Sequence, residues 1–152
     1  MNIYNQKMNE VFEQLQDHGK LVLATTDNNK VSARKMSFII HEHCFYFQTD
    51  IAFRKYQDIQ INNNVALCID NIQIEGKCKE LCHPLEHDIF KTLFQKYYPS
   101  SFEAYTSLPS ERLFVIEPTF IQRWNYVNNL AVIEQLDIEQ EKYKEEPYPN
   151  KN

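Results

Sequence analysis

Residues 47–64, FQTDIAFRKYQDIQINNN, read as the end of a β-strand, a cap at Thr49-Asp50 and then a short helix. Arg54 and Lys55 therefore fall in the first turn of that helix, where cations face its partial positive charge. The cost is about 0.3–1 kcal/mol. A chain with a net charge of −5 places two adjacent cations at an unfavourable corner, and that choice calls for a compensating anion.

The segments on both sides of this corner read as strands. Upstream, YNQKMNEVFEQLQDH (4–18) carries Met8, Val11, Phe12 and Leu15 at helical spacing, with Gly19 as its expected stop. KLVLATT then forms a strand, and DNNK a turn in which Asn replaces the usual Gly because Asn tolerates left-handed backbone. VSARKMSFII and CFYFQT complete an antiparallel meander. Downstream, VALCID and IQIEGKCKELC form a hairpin, the second strand alternating Ile72, Ile74, Gly76 and Cys78 against Gln73, Glu75, Lys77 and Lys79. His83-Pro84 opens a helix through LEHDIFKTLFQKYY, SFEAYTS makes one short turn, and ERLFVIEPTFIQRWNYV is a last long strand broken at Pro118. The pattern predicts one domain over residues 1–152, mainly β with attached helices, folded as a small antiparallel barrel of six strands. Residues 137–152, rich in charge, are expected to form a loosely held tail.

Composition removes several function classes. The basic residues are scattered among acidic ones, which disfavours nucleic acid and anionic membrane surfaces as partners. No apolar run approaches the length of a membrane span, and MNIYNQKMNE lacks the basic-then-apolar order of a secretory signal, so a cytoplasmic location is expected. There are two glycines, Gly19 and Gly76, against roughly 10 for average usage. Gly-rich phosphate loops need several at fixed spacing, so any phosphate must be held by side chains and helix-end amides.

CKELCHPLEH suggests a metal, but an extended chain separates Cys78 from Cys82 by about 13 Å, too far to share an ion. His83 reads better as a helix cap, and HEHC (41–44) as a polar strand connection. No G-x-S-x-G elbow supports nucleophilic catalysis. For the basic pair two readings stand. Arg54 can pair with Asp58 at i, i+4, in the weaker orientation and for about 0.2–0.5 kcal/mol. Alternatively, a phosphate binds there, at roughly 1.5–3 kcal/mol per charged hydrogen bond, with Arg34 adding a third positive charge from the neighbouring strand.

VSARKMSFII, FYFQTD, RKYQDIQINNNVALCID, IQIEGKCKE and LFVIEPTFIQRW occur in an order that resembles the pyridoxamine 5′-phosphate oxidase-like, FMN-binding split-barrel family, over roughly residues 8–126. The resemblance implies a six-stranded split barrel that forms a homodimer, with FMN in clefts between the subunits. It implies that Arg34 reaches the phosphate or ring and that Lys35, Met36, Ser37 and Phe38 offer backbone contacts. Gln48 and Thr49 would lie beside the ribityl chain and phosphate, Arg54 and Lys55 would bind the phosphate, Gln73 would approach flavin from the other subunit, and Trp124 would edge the cleft. The oxidase itself closes on its substrate with an Arg-x-His segment. After Trp124 this chain offers only Lys142, Lys144 and Lys151 as basic residues and no His, which points to a smaller relative. The expected function is an FMN-dependent oxidoreductase acting on a small molecule. The alternative is a non-catalytic flavin- or haem-binding protein using the same cleft, and the catalytic residues stay unassigned.

Overall fold

A computed structural model describes residues 2–16 and 18–149. The chain opens with α1 (Ile3–Leu15), capped by Asn2, whose side chain accepts from Asn5 N at 2.8 Å. Tyr4, Met8, Val11, Phe12 and Leu15 form its buried face. The helix ends earlier than expected, at Gln16 with φ of 65°, and Gly19 lies within the first strand.

Strands β1 (His18–Thr26), β2 (Val31–His41) and β3 (Cys44–Asp50) form the meander. Asn28 adopts φ of 75° in the first turn, while Asp27 Oδ1 accepts from Asn29 N and Lys30 N. α2 (Arg54–Ile61) follows, then the hairpin β4 (Asn64–Ile69) and β5 (Ile72–Glu80). A 3₁₀ turn (Pro84–Glu86) leads into α3 (Asp88–Tyr97). A short helical stretch then runs from Pro99 and widens to a π-turn over Phe102–Thr106. His83 is indeed a cap: its Nδ1 accepts from Leu85 N, and His87 Nδ1 does the same for Phe90 N.

The 17-residue strand β6 (Glu111–Val127) closes the barrel. The six strands run β3-β2-β1-β4-β5-β6, all antiparallel neighbours, and β6 returns to pair with β3 from Glu111 to Ile116. Its far half, Phe120–Val127, pairs instead with β7 (Leu130–Asp137). Between the halves the β5–β6 register shifts at Glu75/Gly76, opposite Pro118. Proline cannot donate to a ladder, so a bulge is where a strand tolerates it. Gly76 is required at that point: a Cβ there would approach Glu117 O and Ile116 Cγ2 to 2.8 Å. Phe38, Phe45, Phe47, Phe114, Leu21 and Leu23 fill the barrel, while Ile39 and Leu113 face outward under Phe90 and Phe94 of α3.

The segment after Val127 holds two further strands, the second of them inside the expected tail of residues 137–152. It is not a loose tail: β7 continues into β8 (Lys142–Pro147), paired with it along Val132–Asp137. Residues 150–152 lie outside the described residues. Val132 and Leu136 of β7 are buried, Leu136 within the main core, and a polar cluster lies between them. Glu134, 3% exposed, accepts from Arg123 Nε at 2.7 Å and pairs with Lys7 Nζ at 2.8 Å, while Arg123 Nη2 reaches Glu10 of α1 at 2.9 Å. Burial alone would raise the Glu134 carboxyl, but the hydrogen bonds and charges of Arg123 and Lys7 outweigh it and hold the pKa at about 2. Its stabilisation is therefore full above the ordinary carboxyl range near 4.5 and is lost as pH falls towards 2. Removing Glu134 leaves Arg123 and Lys7 to share the more exposed Glu10, so Glu134→Ala is expected to cost about 3 kcal/mol at pH 7, the low end for a broken buried pair, read from urea unfolding midpoints.

Candidate functional site

On the outer wall of the barrel, where β2, β3 and β6 lie side by side, the chain forms a cleft of about 480 Å³. Lys35 and Ser37 come from β2, Gln48 to Asp50 from β3, and Glu111 from β6. The β3–α2 corner adds Phe53 and Lys55, while Phe94 and Tyr105 stand opposite. Strand periodicity explains the place of Gln48, since Phe45 and Phe47 turn into the barrel and leave it on the outer wall. Gln48 is fixed by Thr106, whose buried hydroxyl donates to Oε1 at 2.9 Å.

Six of the eleven residues expected at the site line this cleft: Lys35, Met36, Ser37, Gln48, Thr49 and Lys55. The Phe38 side chain lies in the barrel core. Gln73 is exposed on β5, and Trp124, 36% exposed on β6, packs edge-on against Tyr126 and Tyr148; neither lines the cleft. Arg34 donates to Thr25 Oγ1 at 2.8 Å and Ser32 Oγ at 2.6 Å. Those hydroxyls in turn donate to the buried carboxylate of Asp58, at 2.7 and 3.3 Å. Arg54 Nε stands 4.0 Å from the same carboxylate, so the i, i+4 pair does form.

The helix cap differs from the reading of the sequence. The residue before α2 is Phe53, with no side-chain cap, because Asp50 Oδ1 is already accepting from Ala52 N at 2.8 Å and Oδ2 from Ser110 Oγ. The first turn of α2 is thus open to an anion. Lys55 Nζ sits 4.7 Å above the Phe53 ring. Burial, then the charge of Arg34, lowers its pKa, while Glu111 pulls the other way. Thr49 Oγ1 is buried and has no hydrogen-bond partner among the described residues.

Glu111 is the residue that the sequence reading missed. It is 6% exposed and its pKa is pushed up to about 7, first by burial and then by Asp50, against the opposing charges of Lys55 and His83. Alternation from Leu113, which packs under α3, places Glu111 on the same outward face, and that was the available signal. A carboxyl whose folded pKa exceeds its ordinary value contributes most below about pH 4.5 and loses that contribution as pH rises through 7. Glu111→Gln is therefore expected to gain roughly 2–3 kcal/mol over the parent at pH 8 but little at pH 4.5. Paired urea titrations at the two pH values measure the difference.

A closed antiparallel barrel carrying a cleft of mixed charge at a strand-to-helix corner defines a split-barrel domain. The chain matches the family model described as pyridoxamine 5′-phosphate oxidase over residues 8–125, and it belongs to that family. Among solved structures, General Stress Protein 26 from Bacillus anthracis shares 24% identity, covering 80% of this chain and 92% of its own, at a TM-score of 0.59. A pyridoxamine 5′-phosphate oxidase-related, FMN-binding protein from Nostoc punctiforme covers 99% and 98% at 14% identity, with a TM-score of 0.63. The heme storage protein HutZ from Vibrio cholerae covers 74% and 89% at 12% identity, with a TM-score of 0.59. At these identities the likeness concerns the fold. A comparison with curated proteins gives no match. No helix among the described residues is long and apolar enough to cross a membrane.

Proposed function

We propose that this protein binds FMN and works as a flavin-dependent oxidoreductase on a small molecule, as a homodimer in the cytoplasm. The observation that carries the reading is the cluster at the strand-to-helix corner. The Lys55 ammonium, the uncapped first turn of α2 and the orphaned Thr49 hydroxyl converge on one cleft. A phosphate supplies what each lacks: a counter-charge, an acceptor for helix amides and an acceptor for a hydroxyl proton. The cleft volume falls within the roughly 300–1,000 Å³ of small-molecule sites. Lys55 and Thr49 would hold the phosphate, with Arg34 and Arg54 adding long-range positive potential from around Asp58.

FMN would supply the electron-transfer chemistry, and the chain would bind, orient and shield it. Lys35 and Ser37 of β2 would form one wall, with Lys35 contributing positive charge beside the ring. Haem is the weaker ligand reading, because no histidine lines the cleft among the described residues and the Nδ1 atoms of His83 and His87 are occupied as caps.

The dimer reading draws on an exposed row across neighbouring strands. Lys35 pairs with Val22, Val22 with Cys68, and Cys68 with Gln73, which opposes Gln122. Val22 is 38% exposed in the middle of it. A second copy packed on this face would exclude Val22 from water and bring polar groups such as Gln73 towards the other subunit's cleft.

The absorption spectrum of purified protein, with mass spectrometry of any released ligand, tests the reading. Flavin bands and FMN are expected; a Soret band, or no chromophore even after FMN addition, would overturn it. Light scattering on the same sample is expected to give twice the mass of one chain. Lys55→Ala is expected to weaken FMN binding by about 10- to 100-fold, equivalent to roughly 1.5–3 kcal/mol for a charged contact, with an unchanged melting temperature.

A further inference from the structure

The flavin reading leaves one group in the cleft without a task. Glu111 is almost fully buried, lines the same cleft as Lys55 and Thr49, and makes no side-chain hydrogen bond among the described residues. Several neighbouring segments contribute charge, while Phe94 of α3 and Tyr105 line the cleft without any. Asp50 of β3 is its direct partner in the ladder, Lys55 projects from α2, His83 lies before the 3₁₀ turn, and Lys35 of β2 lines the same cleft. Two cations and two carboxylates thus share a cleft that is meant to receive an anion.

We propose that Glu111 is a proton acceptor linked to ligand binding: a phosphate-bearing ligand enters this cleft together with one proton, which Glu111 takes up from solvent. The inference rests on the reading of the cleft as an FMN site and concerns how that site avoids repelling its ligand. A dianion seated against Lys55 adds negative charge beside Glu111 and engages the ammonium that partly offsets it. Both effects favour the neutral carboxyl. In the free protein Glu111 titrates near 7, so above that pH binding must be accompanied by protonation, and affinity falls as pH rises. The ligand phosphate is not the source of this dependence, because its own second ionisation, at about pH 6, is complete there. An anion also favours the charged form of Lys55, whose pKa burial lowers, and a substitution at Glu111 separates the two effects.

The test is calorimetric titration with FMN between pH 7 and 8.5, in two buffers of different ionisation enthalpy. The parent protein is expected to take up close to one proton, with Kd rising about three- to tenfold per pH unit. Glu111→Gln, which keeps the shape and removes the charge, is expected to bind FMN with a nearly constant Kd and little proton uptake. FMN binding by the parent without proton uptake overturns this inference alone, whether or not the variant folds. Uptake that persists in Glu111→Gln assigns the proton to another group and overturns it too. Absence of FMN binding at every pH overturns the flavin reading, and this inference with it.

Discussion

The pairing of β3 with the first six residues of β6 governs both the fold and the cleft. It turns an open meander into a closed barrel, so the edges that β3 and β6 would otherwise expose are satisfied. It also sets Gln48, Thr49 and Asp50 against Leu113, Arg112 and Glu111. The cleft therefore has a floor made of two adjacent strand ends, with α2 leaving from one of them. Because β6 must then serve β7 with its other half, it needs a point at which its ladder can shift. Pro118 and Gly76 provide that point, one by lacking a donor and the other by lacking a side chain.

The basic pair that opened the reading separates into two different roles. Arg54 is half exposed and stands at the distance limit for its partner Asp58, and exposed pairs contribute about 0–1 kcal/mol. Asp58 already receives two hydroxyl donors and has Arg34 nearby, so it is not short of positive charge. Arg54 thus gains little more than its position costs. Lys55 differs, being drawn into the cleft over Phe53 with a carboxylate neighbour that is itself reluctant to ionise. A partly desolvated ammonium at the start of a helix is poorly compensated from within the chain, and that imbalance is what argues for an external anion.

β5 was legible because it alternates cleanly, while β2, β3 and β6 read as strands through short runs rich in aromatic and branched residues, buried on both faces. Ile72, Ile74, Gly76 and Cys78 of β5 are buried, while Gln73, Glu75, Lys77 and Lys79 are exposed, as a half-buried strand requires. The ribbon β7–β8 was not legible, because an inward position of β7 is Glu134 and KYKEEP shows no apolar alternation. Arg123 lies across the β6–β7 hairpin from Glu134, but Lys7 and Glu10 of α1 are distant in sequence, so local pattern carries no trace of them. The cap of α2 was misplaced for a related reason. Asp50 is the right residue type, but Ala52 N and Ser110 claim its oxygens before the helix begins. Alternation from Leu113 puts Glu111 on the outward face of β6, but Asp50 becomes its neighbour only when β6 meets β3.

An ionic anchor for the β7–β8 ribbon has a consequence that an apolar one would lack. Hydrophobic residues of similar volume are often as stabilising as a buried ion pair, so its presence is weak evidence for stability alone. What it adds is register. Arg123 sits across from Glu134 in the ladder, and a one-residue slip would turn Glu134 to the opposite face and leave a buried guanidinium without its carboxylate. Lys7 and Glu10 extend the same constraint to α1, which packs against the ribbon. Fixing that register also fixes the outward side of β6, where Trp124 meets Tyr126 and Tyr148 in edge-on contacts. Three aromatic rings, each at least a third exposed, are thereby held in one arrangement, two on the end of β6 and Tyr148 just past β8.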